Sequence, residues 1–344
     1  MTRPQILVTR ATFPETLERL ARHFDVQANP DDTIWPTDAL ARHLQGKQGA
    51  LTTGSERIDA ALLAACPQLK ICANMIVGYN NFDVQAMASR GVVGTNTPDV
   101  LSETTADFGF ALILAAARRL TEGEHFLRRG EWKKPSFYRM FAGAEVHAST
   151  LGIIGMGRIG QAIARRGARG FGMTVLYHNR ARLDAATEAA CGGARYVSKE
   201  DLLRGADHVL LVLPYSTATH HTIGAAELAL MKPSATLTNI ARGGIVDDAA
   251  LACALRERRI AAAALDVFEG EPAVHPDLLR LPNVVLTPHI ASATVATRRA
   301  MAELAADNLI AFFEKGRVLT PVTPIAPTTA ITPVPSVAGA KENT

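Results

Sequence analysis

The chain has 344 residues, of which 48% are hydrophobic and 20% charged, a globular composition long enough for about two domains. Its longest nearly unbroken apolar run, residues 108–117, is far shorter than the roughly 20 residues of a membrane-spanning helix. With 36 Lys and Arg against 33 Asp and Glu, the net charge is +3, and the sequence lacks the basic stripe typical of nucleic-acid-binding proteins.

The four cysteines, Cys66, Cys72, Cys191 and Cys253, are scattered and form no CxxC pair. This spacing argues against a disulfide framework and against a zinc site, and we expect no metal. Free cysteines suit a reducing compartment. The first strand-like run, residues 6–8, is not preceded by the charged and apolar segments of a signal peptide, so we expect a cytoplasmic protein.

From residue 5 to about 98, short apolar runs alternate with helical patterns. The predicted strands are 6–8, 25–27, 50–52, 69–73 and 92–94, and the predicted helices lie near 14–23, 37–45, 58–65 and 81–90. Alternation of this kind predicts a parallel sheet covered by helices on both faces.

A long helix is predicted next, over 103–120, with Ser102 as its candidate N-cap. A second alternating series follows, with strands predicted at 151–154, 174–177, 208–213, 235–239, 263–267 and 284–286. Six parallel strands separated by helices are typical of a doubly wound dinucleotide-binding fold. A last long helix is predicted over 293–315, so two long helices bracket the second series.

We therefore predict an α/β protein with two doubly wound parallel-sheet domains. The dinucleotide-binding Rossmann domain, 102–289, is expected to be inserted into a flavodoxin-like substrate-binding domain formed by 1–101 and 290–318. Residues 319–344 carry five prolines, many threonines and no aromatic residue, which predicts a disordered tail. Its PxxP spacing could also serve as an extended ligand for a partner.

Three glycines, Gly155, Gly157 and Gly160, stand between a predicted strand and a predicted helix, with Arg158 and Ile159 among them. The first permits a tight turn, the second lets the backbone approach a pyrophosphate, and the third lets the helix pack closely on the strand. The helix N-terminus favours the anion. This GxGxxG context predicts a dinucleotide site.

The following strand indicates which dinucleotide binds. NAD sites usually carry Asp or Glu about 20 residues beyond the glycines, where it holds the ribose 2′-hydroxyl. Here Asn179 stands in that place and Arg180 and Arg182 follow. Because guanidinium groups attract a 2′-phosphate and no carboxylate repels it, we expect NADPH to be preferred, with NADH as a possible second cofactor.

Three charged residues, Arg242, Glu271 and His289, follow the ends of three consecutive predicted strands. Ligands of open α/β sheets bind beyond those ends, so we expect the three side chains to converge. Arg242 offers a planar cation for a carboxylate, and His289 can transfer a proton near neutral pH. Glu271, if it is bonded to His289, would favour the imidazolium. This set predicts hydride transfer to a 2-keto acid, with His289 as general acid.

With these motifs the chain resembles the D-isomer-specific 2-hydroxyacid dehydrogenases over residues 1 to about 318. The matching segments are 77–83, 155–160, 239–243, 266–272 and 288–289. Within the family it is most similar to the glyoxylate/hydroxypyruvate reductases, particularly the bacterial branch that also reduces 2-ketogluconate. Residues 178–182 resemble those of NADPH-preferring members.

The resemblance implies roles for individual residues. Backbone amides around Val77 and Gly78, beside Ile76, would hold the substrate carboxylate together with Arg242, and Asp266 would bond the nicotinamide carboxamide. Further residues implied at the cofactor are Thr105, Arg158, Ile159, Leu213, Pro214, Thr219, Ile240, Ala241, Arg242, His289 and Ala291. A homodimer through the dinucleotide-binding domain and closure of the two domains on the substrate are also implied.

Two positions depart from the family pattern. Members usually have an acid where Asn80 stands, and related reductases often have a small polar residue where Ile76 stands. Ile76 is expected to make the pocket less polar, which disfavours a polyhydroxylated substrate. It also argues against phosphite, because the members acting on phosphite carry a lysine in that loop.

Two other functions stay open. One is an NAD-dependent D-2-hydroxyacid dehydrogenase of other specificity, such as a D-lactate or phosphoglycerate enzyme, which Asn179 and Arg180 disfavour. The other is a dinucleotide-gated scaffold similar to the corepressors that share this fold. The stretch with Trp132, Tyr138 and Phe141 could reach the substrate or could pack in the core or at an interface.

Overall fold

The computed structural model describes residues 3–136, 138 and 140–324. These residues form two compact units, one from the described parts of 1–101 and 294–344 and the other from 102–293. Among the described helices, none combines the length and the apolar character needed to cross a bilayer.

Twelve strands and twelve α-helices make up the two units. The strands are β1 Gln5–Val8, β2 Asp25–Ala28, β3 Gly49–Thr52, β4 Ile71–Asn74, β5 Val93–Thr95, β6 Thr150–Ile154, β7 Thr174–His178, β8 Arg195–Tyr196, β9 His208–Leu211, β10 Thr236–Asn239, β11 Ala262–Leu265 and β12 Val284–Leu286. The helices are α1 Pro14–His23, α2 Thr37–Leu44, α3 Ala60–Ala65, α4 Val84–Ser89, α5 Ser102–Ala117, α6 Leu120–Arg128, α7 Arg158–Phe171, α8 Ala185–Ala190, α9 Lys199–Gly205, α10 Ala225–Leu230, α11 Asp248–Arg256 and α12 Val295–Lys315.

The first unit contains a five-stranded parallel sheet in the order β2-β1-β3-β4-β5, which is the flavodoxin-like order. Its central strands are buried on both faces, which explains their unbroken apolar sequences. The long helix α12 closes one face, where Leu309 packs with Val8 and Leu51 in the core. Thr294 caps the start of α12 by accepting a hydrogen bond from the Thr297 amide, and Gly316 ends it with φ +63°.

The second unit contains a seven-stranded parallel sheet in the order β12-β11-β10-β9-β6-β7-β8. Counted from β6 this is the 3-2-1-4-5-6 Rossmann order with one more strand, β12, added. Helix α5 packs on β10 and β11 beside α7, and its inward residues Ala106, Ile113 and Ala116 are buried. The predicted fold class, two doubly wound parallel-sheet domains, is confirmed.

The structure corrects four details of the sequence prediction. The second sheet has seven strands and not six, because the two-residue edge strand β8 was missed. The helix predicted over 103–120 ends at Ala117, and Arg119, with φ +53°, separates it from α6. Ser102 is the first residue of α5 and not its N-cap. Residues 319–324, predicted to be disordered, are ordered.

The ordered part of the tail pairs with β5. Pro321 bridges Thr95, the Val322 amide donates to the Gly94 carbonyl at 2.8 Å, and the Gly94 amide donates to the Thr323 hydroxyl. These hydrogen bonds satisfy backbone groups of β5. The composition of the tail does not predict this pairing. Residues 325–344, the rest of the predicted tail, lie outside the described residues.

Candidate dinucleotide and catalytic site

The loop after β6 needs its first and third glycines for steric reasons. Gly155 has φ +103°, and a Cβ there would lie 2.6 Å from the Val212 carbonyl oxygen. A Cβ on Gly160 would lie 2.3 Å from the Gly155 carbonyl oxygen. The tight turn and the close packing of α7 predicted from the sequence therefore depend on glycine at both positions.

The second glycine, Gly157, has a different reason to be glycine. No heavy atom of the described chain lies within 4 Å of a Cβ built on it, so the fold alone would tolerate a side chain. Gly157 precedes α7 as its N-cap residue, and no side chain caps that helix end. Open space beside uncapped helix amides fits the close approach of a dinucleotide pyrophosphate, which a side chain would obstruct.

At the end of β7, Asn179 faces the glycine loop. Its side-chain oxygen accepts a hydrogen bond from the Met156 amide at 2.8 Å, so it fixes the loop backbone. Arg180 is exposed, and no described residue forms an ion pair with it. The side chains expected beside the ribose are thus an amide held by the loop and an unengaged guanidinium.

Arg182, predicted to help bind a 2′-phosphate, is held by a carboxylate of its own chain. Its guanidinium makes a bidentate pair with the Glu188 carboxylate, both bonds 2.8 Å. The buried Tyr177 hydroxyl donates to the same carboxylate at 2.6 Å and accepts from the Leu183 amide. The hydrogen bonds from Arg182 and then from Tyr177 lower the pKa of Glu188 to about 2. This network fixes the loop after β7, and binding of a 2′-phosphate by Arg180 or Arg182 stays a prediction.

The other cofactor residues predicted in this unit lie along the same sheet edge. Beyond β9, Leu213 is half-buried and Pro214 is exposed, and the half-buried Thr219 donates its hydroxyl to the Pro214 carbonyl at 3.0 Å. Thr105 of α5 is buried, and its hydroxyl has no partner among the described residues. A buried hydroxyl without a partner is costly, so Thr105 fits a position that a ligand completes. Arg158 and Ile159 open α7, and Ile240, Ala241 and Ala291 are buried.

Arg242 follows β10 in a turn that packs tightly on the next loop. A Cβ on the neighbouring Gly243 would lie 1.7 Å from the Phe268 carbonyl oxygen, so the two loops meet here with no room for a side chain. Arg242 is partly buried, donates to the Ala241 carbonyl, and forms no ion pair with a described residue. Burial lowers the pKa of the Arg242 guanidinium, and the nearby Glu271 carboxylate opposes that shift. A partly desolvated cation of this kind suits an anionic ligand.

Glu271 and His289 are brought together as the sequence predicts. The Glu271 carboxylate lies 2.8 Å from Nδ1 of His289 and accepts a second hydrogen bond from the Phe268 amide. Burial acts to raise the pKa of Glu271, but these two hydrogen bonds and the charges of His289 and Arg242 lower it overall. The ionised carboxylate orients the imidazole and leaves Nε2 to face a substrate.

Asp266 has a structural role that the sequence analysis missed. Its buried carboxylate accepts hydrogen bonds from the Ile290 amide at 2.9 Å, the Ala291 amide at 2.8 Å and the Thr287 hydroxyl at 2.7 Å. These bonds hold the turn in which His289 adopts φ +54°. The only sequence signal for this role of Asp266 is an acidic residue at the end of a strand. The contact of Asp266 with the nicotinamide carboxamide stays a prediction.

In the other unit, the loop 76–78 follows β4. The carbonyls of Ile76, Val77 and Gly78 accept hydrogen bonds from the Thr97 amide, the Asn96 side chain and the Asn74 side chain. Among the described residues the amides of Val77 and Gly78 have no backbone partner, and their binding of a substrate carboxylate stays a prediction. Ile76 packs against Gly54, whose Cβ would lie 2.8 Å from it.

Three aromatic residues between α6 and β6, Trp132, Tyr138 and Phe141, lie outside the buried core. Trp132 and Tyr138 are 56% and 87% exposed, which makes core packing wrong for both. Phe141 packs edge-on against Phe126, with ring centroids 5.1 Å apart, and the Arg119 guanidinium lies over it.

Comparison with known proteins places this arrangement in a family. Residues 110–291 match the model of the D-isomer specific 2-hydroxyacid dehydrogenase NAD-binding domain. The chain is 48% identical over 313 residues to the glyoxylate reductase of Thermococcus kodakarensis, covering 90% of this chain and 93% of that one. It is also 48% identical over 317 residues to the Aeropyrum pernix glyoxylate reductase, covering 91% and 93%.

A solved structure extends the comparison. The NADPH-dependent glyoxylate/hydroxypyruvate reductase of Sinorhizobium meliloti, crystallised with NADP and malonate, superimposes with a TM-score of 0.83 at 38% identity. The match covers 93% of this chain and 97% of that one. The likeness therefore includes both α/β units.

Proposed function

This chain belongs to the D-isomer-specific 2-hydroxyacid dehydrogenase family, and on that premise we propose that it is an NADPH-preferring reductase of small 2-keto acids. Glyoxylate and hydroxypyruvate are the expected substrates, D-2-hydroxy acids the products, and 2-ketogluconate a further candidate. The observation that carries the proposal is the hydrogen-bonded Glu271–His289 pair at the sheet edge that also bears Arg242 and the glycine loop. Arg242 and His289 supply the cation and the acid that reduction of a 2-keto acid requires.

The glycine loop and the end of β7 would hold the dinucleotide, which would supply the hydride for reduction of the keto carbon. Arg242 binds the substrate carboxylate and orients the carbonyl. His289 donates the proton from Nε2 to the alkoxide oxygen as charge develops there. Glu271 accepts from Nδ1, which holds the ring in place and stabilises the imidazolium before the transfer. Asp266 is a positioning residue, since it acts through the backbone of the turn.

The NADPH preference rests on the loop after β7. Asn179 replaces the carboxylate that would repel a 2′-phosphate, and Arg180 is exposed and not engaged in an ion pair with a described residue. The Sinorhizobium meliloti relative was crystallised with NADP. One observation favours the second candidate, an NAD-dependent enzyme of other specificity: Glu188 engages Arg182, which removes one of the two expected phosphate ligands.

The experiment is oxidation of NADPH and of NADH with glyoxylate, hydroxypyruvate and 2-ketogluconate offered in parallel. We expect turnover of the first two substrates, with kcat/KM higher for NADPH than for NADH. Because Ile76 lines the loop with an apolar side chain, 2-ketogluconate should be the poorest of the three. Higher kcat/KM with NADH would select the second candidate, and no turnover with any of the three would contradict the proposed substrate class.

We also propose a homodimer formed through the dinucleotide-binding unit. Helix α6 contains no buried residue and exposes Leu120 and Leu127, at 64% and 58%, and Trp132, four residues after the helix, is exposed as well. Exposed apolar side chains grouped in this way are typical of an interface. Sedimentation of the wild type should show a dimer, and Leu127→Glu should shift it to a monomer. A wild type that sediments as a monomer at every concentration would contradict this assembly.

The four cysteines are free thiols in the structure, three of them buried. The cytoplasmic location stays a prediction.

A further inference from the structure

Apart from the proposed catalytic pair, the second unit groups three potential metal ligands at its surface. His220, His221 and Glu269 place one ligand atom each within 4.8 Å of one another. Nε2 of His221 lies 3.1 Å from Oε2 of Glu269. Two ligands bound at about 2.0–2.1 Å to one tetrahedral ion are roughly 3.3 Å apart, so this pair already has nearly the required separation.

The backbone brings two consecutive histidines to the same side. Neighbouring side chains of an extended chain point to opposite sides, but His221 has φ +48°, and the two imidazole rings stack with centroids 3.8 Å apart. The His221 amide donates to the Gly244 carbonyl at 2.7 Å, which fixes this turn on the segment that follows Arg242. The backbone therefore brings the two rings to the same side, and the rings would rotate out of this stack to point one nitrogen each at a shared ion.

Contacts around the cluster orient two of its members. The Tyr215 hydroxyl lies 3.2 Å from Nδ1 of His220, which leaves Nε2 as the ligand atom of that ring. An outer partner of this kind is usual for metal-binding histidines. The Glu269 amide donates to the buried Asp248 carboxylate at 3.0 Å, so the backbone that carries the third ligand is also fixed.

We propose that His220, His221 and Glu269 bind a divalent transition-metal ion, Zn²⁺ above all, with water completing the coordination. Two imidazoles and one carboxylate form a donor set that Zn²⁺ uses in open sites, whereas Mg²⁺ prefers oxygen ligands only. The scattered cysteines argue against a thiolate zinc site, but this donor set joins two loops that are 48 residues apart in sequence. The inference is independent of the proposed reductase activity.

A bound ion would connect two segments that carry proposed catalytic residues. Glu269 stands two residues before Glu271, and His221 is bonded to the turn that follows Arg242. An ion that binds both segments in the native state, and does not bind the unfolded chain, would raise the melting temperature of the protein. The metal is therefore expected to stabilise the second unit without taking part in hydride transfer.

The test is isothermal titration of the full chain with zinc chloride, at neutral pH and without dinucleotide. We expect one micromolar or tighter site in the wild type and at least about tenfold weaker binding in both His221→Asn and Glu269→Gln. The matched control is His147→Asn, which removes an exposed histidine paired with Glu145 at 2.9 Å outside the cluster. That variant should bind zinc like the wild type, as should His289→Asn, and magnesium chloride should give no heat.

Cobalt provides a second measurement that does not depend on affinity. Co²⁺ in a site of this kind gives visible absorption bands of tetrahedral or five-coordinate geometry, and both cluster variants should lose them while keeping the wild-type circular dichroism. Absence of stoichiometric zinc binding in the wild type would overturn the proposal. Zinc binding that is unchanged in both cluster variants, or lost in His289→Asn, would overturn it as well.

Discussion

At the residue scale, the two arginines after β7 have different surroundings although the sequence presents them alike. Arg182 is bonded to the buried Glu188 through Nε and Nη2, while Arg180 is exposed with no ion pair to a described residue. The pair occupies two of the three nitrogens of this guanidinium, so only Nη1 of Arg182 is left for a phosphate while the pair is intact. We therefore expect discrimination between the two dinucleotides to depend more on Arg180 than on Arg182.

We accordingly predict that Arg180→Ala raises the dissociation constant for NADPH at least about tenfold, the range for one charge-assisted hydrogen bond, and changes that for NADH little. Arg182→Ala is the matched comparison. It should lower the melting temperature and should change the ratio of the two dissociation constants little. Fluorescence titration with both dinucleotides measures this. An equal loss for NADPH and NADH in Arg180→Ala would mean that this residue does not contact the 2′-phosphate.

Residues of the site differ in how far the sequence reveals them. Arg242, Glu271 and His289 could be predicted because charged residues at strand ends carry a positional signal. The engagement of Arg182 could not, because Glu188 is six residues away on a helix face that only the fold brings under the loop. The hydrogen bonds of Asp266 to the turn at 287–291 are equally invisible, since they depend on backbone amides.

At the element scale, two glycines of the loop after β6 are needed for different reasons, one for folding and the other, we expect, for dinucleotide binding. Gly160 is required by the packing of α7 on β6, whereas Gly157 faces open space at the N-terminus of α7. Substitution by alanine should therefore weaken dinucleotide binding at Gly157 and impair folding at Gly160.

Gly157→Ala should keep nearly the wild-type melting temperature but bind both dinucleotides much more weakly, because its methyl group projects toward the pyrophosphate. Gly160→Ala should lower the melting temperature or prevent folding, since its Cβ would lie 2.3 Å from the Gly155 carbonyl oxygen. Thermal unfolding combined with dinucleotide titration separates the two effects. Wild-type dinucleotide binding by a folded Gly157→Ala would refute the assignment of this loop.

The network below the loop after β7 gives a dependence of stability on pH. Because hydrogen bonds from Arg182 and Tyr177 lower the pKa of Glu188 to about 2, its carboxylate stabilises the native state above the ordinary value of 4.5. That contribution is lost as the pH falls from about 4.5 toward 2. Glu188→Gln should thus have a lower melting temperature than the wild type at neutral pH. This gap in melting temperature should narrow in acid.

Melting curves of both proteins between neutral pH and the onset of acid unfolding measure that gap. A gap that stays constant, or widens as the pH falls, would show that the Glu188 carboxylate is not ionised in the native pair. Tyr177→Phe provides the control, because it removes one hydrogen bond from the network without removing the ionisable group.

Elements with a strong periodic pattern were predictable, and those defined by backbone conformation or by a partner strand were not. The long helices α5 and α12 and the central strands of both sheets follow from apolar patterning. The end of α5 depends on the left-handed conformation of Arg119, which no sequence motif specifies. Likewise β8 is only two residues long, and residues 319–324 are ordered through pairing with β5, a distant part of the chain.

At the scale of the whole molecule, each unit has its own parallel sheet and its own core. The proposed catalytic residues all come from the second unit, where the ends of β10, β11 and β12 place Arg242, Glu271 and His289 at one edge. The strand order thus explains how residues 47 positions apart in sequence can serve one reaction. Family membership and this edge of the sheet agree on the reductase assignment.

The central claim is that His289, held by Glu271, protonates the substrate while the rest of the second unit binds the dinucleotide. The most direct measurement compares wild type and His289→Ala in turnover of glyoxylate with NADPH and in NADPH affinity, on the same preparations. We predict a loss in kcat of about 10²- to 10⁴-fold, the usual contribution of a general acid, with the dissociation constant for NADPH unchanged. Wild-type kcat in His289→Ala would contradict the account.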